Sequence, residues 1–287
     1  MTLIWKRQVA VTVANLVIND LRMFIDVRKQ ASAEPTTGEV RFFNMSRDTE
    51  QRVLDRGDEI TIEAGYGGIV GLLASGAVQR VIRADTSQRL DRITRVRFSS
   101  HVVGLKRLSG IFIKNYATTV NLRTIVAAVV NEGFKTRNRQ AGSALVLGSM
   151  DVVPDNVTFP EWNYAGPSTR ALDQLLKPHG VRWYEDDGII RFNRAGATSQ
   201  GAEHVMLGKD TGLIGSPGRI DVDVEKEGGR VQGARARSLM NHRLRVGNSV
   251  TLESTTLAGQ WKIVGVHHHG DSWQGNEFYS DVELRST

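Results

Sequence analysis

Over its first hundred residues this chain repeats one constraint. Apolar and polar side chains alternate with period two in short runs, and such runs are stable only as strands that bury one face. The runs cover residues 8–15, 23–29, 39–44, 59–65, 71–83 and 92–99, with Ile60, Ile62 and Ala64 a clear instance. Glu34-Pro35-Thr36-Thr37-Gly38 and Gly65-Tyr66-Gly67-Gly68 supply turn chemistry between them. One interruption is helical, at residues 47–55, with Ser46 as the expected N-cap and Gly57 as the stop. Six strands and a small helix predict a barrel or sandwich for residues 1–117.

The period then changes. Leu122, Ile125, Val126 and Val129 follow the spacing of an amphipathic helix, closed by Gly133. A second helix, capped by Ser168, carries Leu172, Leu175 and Leu176 on one face and ends at Pro178 and Gly180. Two short strands at 181–185 and 189–193 flank Asp187-Gly188, a hairpin signal. Residues 118–197 therefore predict a small α+β module. Residues 196–218, rich in Gly, Ser and Thr, suggest a linker or long loop. Strands return at 219–224, 230–236, 249–254, 260–266 and 277–285, with Gly228-Gly229 as a hairpin turn. The expected plan is mainly β: a β-unit over 1–117, an α+β module over 118–197, and a linker with a second β-unit over 198–287.

Composition supports more than one core. Of 287 residues, 40% are hydrophobic and 24% charged, and the length suits two or three compact units. Cysteine is absent, which excludes disulfides, thiolate metal sites, iron–sulfur clusters and a cysteine nucleophile. Lys6-Arg7 ahead of Val9 to Ile18 mimics a secretion signal, but Thr12 and Asn15 interrupt the run, and Val9, Val11 and Val13 alternate like a strand. No stretch reaches the roughly 18 apolar residues of a membrane helix, so no membrane insertion is expected. The net charge of +6 is concentrated in residues 1–117, where 18 Lys/Arg face 12 Asp/Glu. A basic face there suits nucleic acid or an acidic protein partner.

His267-His268-His269 is the strongest candidate for metal chemistry. On a strand, His267 and His269 share a face, and Asp271 or His242 would complete a set of ligands. The competing reading is a polar strand end running into the turn at Gly270-Asp271. Glu185-Asp186-Asp187 is the densest acidic run, and its place in a hairpin turn favours solvated carboxylates over catalytic ones. Gly65-Tyr66-Gly67-Gly68 leads into strand-like residues, whereas a phosphate loop must feed a helix. Gly166-Pro167-Ser168 fails the nucleophile-elbow pattern. Arg80, Arg83, Arg89, Arg92, Arg95 and Arg97 form a basic run with few aromatics for base stacking, so a solvated or protein-facing surface, or the lining of a channel that DNA passes through, fits better. No catalytic residue and no cofactor are expected.

The order of motifs is more specific. Arg41-Phe42-Phe43-Asn44-Met45-Ser46, a short helix, Ile60-Thr61-Ile62-Glu63-Ala64-Gly65-Tyr66, then Ala74-Ser75-Gly76-Ala77-Val78 resembles the start of the baseplate hub proteins of tailed phages. The middle is similar too, with Phe159-Pro160-Glu161-Trp162, Gly166-Pro167-Ser168 and Gly180-Val181-Arg182-Trp183-Tyr184. So is the C-terminal part, with Arg237-Ser238-Leu239-Met240-Asn241, Val246-Gly247, Val250-Thr251-Leu252, Gly259-Gln260-Trp261-Lys262-Ile263 and His268-His269-Gly270-Asp271. The family's last motif has one His before Gly-Asp where this chain has three.

The resemblance implies two tail-tube-like β-barrels separated by the α+β module. It also implies a homotrimer whose six barrels form a pseudo-six-fold ring. Such a ring joins a six-fold tail tube or tube-initiator protein to a three-fold central spike. It touches other baseplate proteins, and it lines a channel for the tape-measure protein and genomic DNA. The implied location is the virion baseplate, after assembly in the host bacterial cytoplasm, in a phage or a phage-derived device. The alternatives are a tail-tip peptidoglycan hydrolase using His267, His269, Asp271 or the Glu185–Asp187 cluster, and a basic nucleic-acid-binding module using Arg80 to Arg97.

Overall fold

The computed structural model describes residues 6–30, 36–85, 91–99, 111–134, 145–194, 203–223, 230–273, 275 and 277–286. Two compact units result, Met1–Ser99 with Gly201–Thr287 as unit 1 and Ser100–Gln200 as unit 2. Unit 1 begins with β1 (Arg7–Val13), β2 (Leu16–Ile18), β3 (Met23–Gln30) and β4 (Thr37–Phe43). Helix α1 (Arg47–Arg56) follows, then β5 (Glu59–Tyr66), β6 (Ile69–Asp85) and β7 (Arg92–Ser99). Unit 2 holds β8 (Ile111–Tyr116), β9 (Val120–Asn121), α2 (Leu122–Ala128) with a π-helical continuation (Val129–Phe134), β10 (Val146–Leu147), β11 (Thr158–Phe159), β12 (Trp162–Pro167), α3 (Ser168–Leu176), β13 (Val181–Asp186) and β14 (Ile189–Arg194). The chain returns to unit 1 with β15 (His204–Gly208), β16 (Leu213–Asp223), β17 (Arg230–Leu239), β18 (Ser249–Glu253), β19 (Gly259–Asp271) and β20 (Phe278–Ser286).

Local chemistry sets the ends of these elements. Ser46 sits in extended backbone, and its Oγ accepts from the Thr49 amide at 3.1 Å. Asp48 and Glu50 complement the helix dipole in the first turn of α1, and the Gly57 amide closes on the Val53 carbonyl. Gly67 and Gly68 both take positive φ, which gives the β5–β6 hairpin its turn at no steric cost. Ala14 and Asn15 take positive φ between β1 and β2 without a glycine, so that hairpin carries no sequence signal. In unit 2, Gly180 is left-handed just past α3, and Asp187-Gly188 turns β13 into β14.

The strands of unit 1 form one 13-stranded sheet in the order β16-β17-β20-β19-β3-β4-β7-β6-β5-β1-β2, with β18 pairing β19 and β15 pairing β18. Among the described residues this order is linear and does not close into a barrel. The seam is the antiparallel β3–β19 ladder, from Gln30 opposite Gly265 to Phe24 opposite Asp271. It merges the two β-segments that composition separates. They also share one core, in which Phe278 and Met240 pack with Val11, Ile25, Phe42, Ile62 and other N-terminal residues. Arg7 Nη1 donates to the Asp271 carbonyl at 2.9 Å, and Arg22 pairs with the Asp271 carboxylate at 2.7 Å.

Three expectations are corrected. The sequence boundary at 117 leaves β8 with the first segment, but β8 pairs with β12 inside unit 2. The expected linker over 196–218 contains β15 and the first half of β16, whose pairing with β17 is irregular between Ile214 and Gly218. Ser168 is the first residue of α3 rather than its cap. It is buried, and a Cβ on Gly133 would meet its hydroxyl at 2.2 Å, so the two residues are matched by size. Unit 2 packs α2 and α3 on β13–β14 through Ile125, Val129, Leu172, Leu176, Ile190 and Phe192. No helix among the described residues is long and apolar enough to cross a membrane.

Candidate functional site

Residues directly opposite one another on adjacent strands share a face of the sheet. The ladders therefore build one row from Arg80 through Arg97, Glu39, Asp26 and His269 to Tyr279, crossing six strands. A second row on that face runs from Arg28 through His267 and Asp281 to Arg237. Intervening residues such as Val27, Val40, Val96 and His268 turn to the core and are buried. The face is charged because its apolar partner face is already satisfied.

Most of that charge is paired. Glu39 accepts from Arg41 Nε at 2.6 Å and from Arg97 Nε at 2.7 Å. Burial raises the Glu39 carboxyl, but these two guanidinium bonds bring it below its ordinary value. Arg237 grips Asp281 with two bonds, at 2.7 and 2.9 Å, and stacks over the Tyr279 ring. The expected basic run divides. Arg80, Arg95 and Arg97 lie on the charged face. Arg83 and Arg92 lie on the other, where Arg83 meets Glu50 of α1 at 3.1 Å and Arg92 donates to the Met45 carbonyl. Arg89 lies outside the described residues, as do Glu34, Pro35 and the Gly228-Gly229 turn. A basic surface this heavily paired with carboxylates offers a duplex few free cations.

The histidine run lies inside β19, flanked by β3 and β20, rather than at a strand end. The His267 and His269 rings stack with centroids 4.6 Å apart. His267 Nε2 meets Asp26 Oδ1 at 2.9 Å, and His269 Nε2 meets Asp281 Oδ2 at 3.2 Å. The bond to His267 draws the Asp26 carboxyl below its ordinary value. Burial pushes Asp281 up, but Arg237 and His269 hold it below its ordinary value. One ligand atom each from His267, His269 and Asp281 lie within 4.8 Å of one another.

The residues expected to complete this set are elsewhere. Asp271 is bound to Arg22, and its Oδ1 accepts from the Trp273 amide. His242 packs against Gly71, where a Cβ would meet its ring at 2.4 Å. Asp281 escaped sequence reading because it pairs across a strand boundary, and only the β19–β20 register reveals it. Asp26 is the same case across the β3–β19 seam. In unit 2, Glu185 and Asp186 are buried instead of solvated. Glu185 accepts from the Gly188 amide at 2.6 Å, and Asp186 meets Arg191 at 3.2 Å, so the acidic run braces its own hairpin.

Unit 2 presents a different surface. In the β8–β12 pair, Phe112 turns inward toward Trp162 and Tyr164, while Ile111 and Ile113 on the opposite face are 71% and 72% exposed.

A 43 kDa tail protein of prophage MuSo2 from Shewanella oneidensis superposes on this chain with a TM-score of 0.62 over 97% of each chain, at 10% identity. The fold is that of phage tail proteins. A tail protein from Neisseria meningitidis MC58 gives 0.63 over 98% of this chain and 97% of its own, at 7% identity. The E. coli c3393 protein has the tail-protein fold over 98% of this chain and 77% of its own, with a TM-score of 0.59 and 15% identity. It is described as a component of the type VI secretion system with structural similarity to T4 bacteriophage tail proteins gp27 and gp5. No family model and no curated protein matches the sequence.

Proposed function

We propose that this chain is a structural baseplate hub, a homotrimeric adaptor at the end of a tail tube in a phage or a phage-derived injection device. The observation that carries the reading is end-to-end likeness: the tail-protein fold covers 97% of this chain and 97% of the Shewanella protein. The two halves of the unit 1 sheet, β1 to β7 and β15 to β20, serve as the two tube-like barrel elements, and β3–β19 joins them. Three chains then supply six such elements around one axis, matching a six-fold tube on one side and a three-fold spike on the other. Among the described residues the sheet ends at β2, β15 and β16, and neighbouring subunits cover these edges, which removes the hazard of unpaired strands.

The paired Arg and carboxylate rows suit a lumen or an inter-subunit wall. Tape-measure protein and DNA pass such a wall without sticking, because Arg41, Arg97 and Arg237 already have carboxylate partners. Ile111 and Ile113 supply an apolar contact for another baseplate protein. The role is non-enzymatic, and it places the chain in the virion baseplate after assembly in the bacterial cytoplasm.

Immunogold labelling of intact tails with an antibody to the full chain tests this location. Gold confined to the spike-bearing end of the tail is the expected result. Gold along the shaft, at the head, or absent from particles that contain the chain by mass spectrometry overturns the reading.

A further inference from the structure

We propose that His267, His269 and Asp281 form a binding site for one divalent transition-metal ion of the zinc class, which would strap β19 to β20 beside the seam of the sheet. The inference starts from the backbone. Two imidazoles two residues apart on one strand project from the same face, and this sheet holds them with stacked rings 4.6 Å apart. The residue directly opposite His267 on β20 is Asp281, so three donors converge from two hydrogen-bonded strands.

Spacing supports the assignment. Ligands held about 2.0–2.2 Å from a tetrahedral zinc ion lie roughly 3.4 Å from one another. His269 Nε2 and Asp281 Oδ2 are 3.2 Å apart, already the separation of two donors on one ion. One ligand atom each of His267, His269 and Asp281 lie within 4.8 Å of one another, so adjustment by about 1 Å completes the set. The ion would replace the direct contact between His269 Nε2 and Asp281 Oδ2.

The surroundings supply what a ligand triad needs. Asp26 on β3, 2.9 Å from His267 Nε2, fixes that ring and leaves Nδ1 as its ligand atom, the role carboxylates play beside metal-bound imidazoles. A groove of about 610 Å³, lined by Arg28, Ile214, Arg235, His267 and Asp281, reaches two of the three ligands and gives an ion a way in. Two nitrogen donors and one oxygen select zinc, cobalt or nickel over calcium and magnesium, which require oxygen shells. Three protein ligands leave one position for water. Arg237 also holds Asp281, so binding requires that carboxylate to be shared or handed over.

Equilibrium dialysis of the tag-free full chain against Zn2+, with metal counted by mass spectrometry, tests the site independently of the hub reading. The expected result is about one ion per chain with a Kd in the micromolar range or tighter, accompanied by a rise in Tm. His267→Gln and His269→Gln should each weaken binding at least about 10-fold, and Asp26→Asn about 10-fold through the orientation of His267. His204→Gln is the control, because His204 lies apart on β15 with Ser249 and Thr251 as partners. Circular dichroism on each variant confirms that the sheet is intact, and Asp26→Asn keeps the test decisive if either histidine variant fails to fold. No binding at about 1 mM Zn2+, or equal binding by the wild type and the folded variants, overturns the proposal.

Discussion

A Phe278→Ala chain is expected to lose about 3–5 kcal/mol of stability, and to lose it across all of unit 1. Phe278 opens β20, near the C-terminal end of the sequence, yet it is fully buried in a core built largely of N-terminal residues. Tyr66 meets its ring edge-on at 5.2 Å, and the Tyr66 hydroxyl donates to the Phe278 carbonyl at 2.9 Å. The Arg7 guanidinium stands 5.4 Å over the same ring. Truncation leaves a cavity where β1, β5 and β20 converge, and a cavity adds to the lost transfer energy because neighbours relax only in part. Hydrogen exchange reads the consequence. Amides of β1 and β5 should lose protection together with those of β17 and β20, as parts of one cooperative unit do. Loss confined to β20 would contradict a shared core.

Acid should destabilise the fold well above the range where carboxylates titrate. His268 is buried on the core side of β19, with Nδ1 against Ser280 Oγ at 2.7 Å. Burial, helped by the charges of Lys29, His267, Arg245 and His269, lowers its pKa from 6.5 to about 3. The unfolded chain therefore binds a proton below pH 6.5 that the folded chain refuses until about pH 3. Stability is intact above pH 6.5 and falls as pH drops through that window, by up to about 1.4 kcal/mol per pH unit. Asp26, Asp281 and Glu39 add to the loss only at lower pH, because their folded pKa values are depressed and their contribution disappears as pH falls through those values. Between pH 6.5 and 4.5 His268 gives the largest part of the slope, and His242, whose pKa burial also lowers, adds to it in the same direction. Denaturant melts in chelator-containing buffer should show a steep slope for the wild type and a shallow one for His268→Asn. Equal slopes would place the buried proton elsewhere.

Much of this fold is legible wherever chemistry is local. Ser46 and Gly57 bound α1 because a hydroxyl and a flexible residue satisfy orphan backbone groups within four positions. Asp187-Gly188 announces its hairpin because the turn demands positive φ. Six of the seven N-terminal strands, all but β2, follow from alternation, since each buries one face in a single core. What stays hidden is non-local. Nothing in residues 23–30 or 265–271 says that these segments pair, yet that ladder decides that the outer β-segments form one unit. Residues 213–218 read as loop because Gly215, Ser216 and Pro217 suit one, and the strand carries them as an irregularity. For the candidate site, the shared face of His267 and His269 is visible from their spacing. Asp281 and Asp26 are not, because cross-strand register is set by the ladders. The same registers divide the arginines between two faces.

The native mass of the purified full chain, measured alone and with its spike and tube proteins, tests the hub reading most directly. A trimer near three times 31.7 kDa is the predicted result. A chain that stays monomeric with both partners present would contradict it.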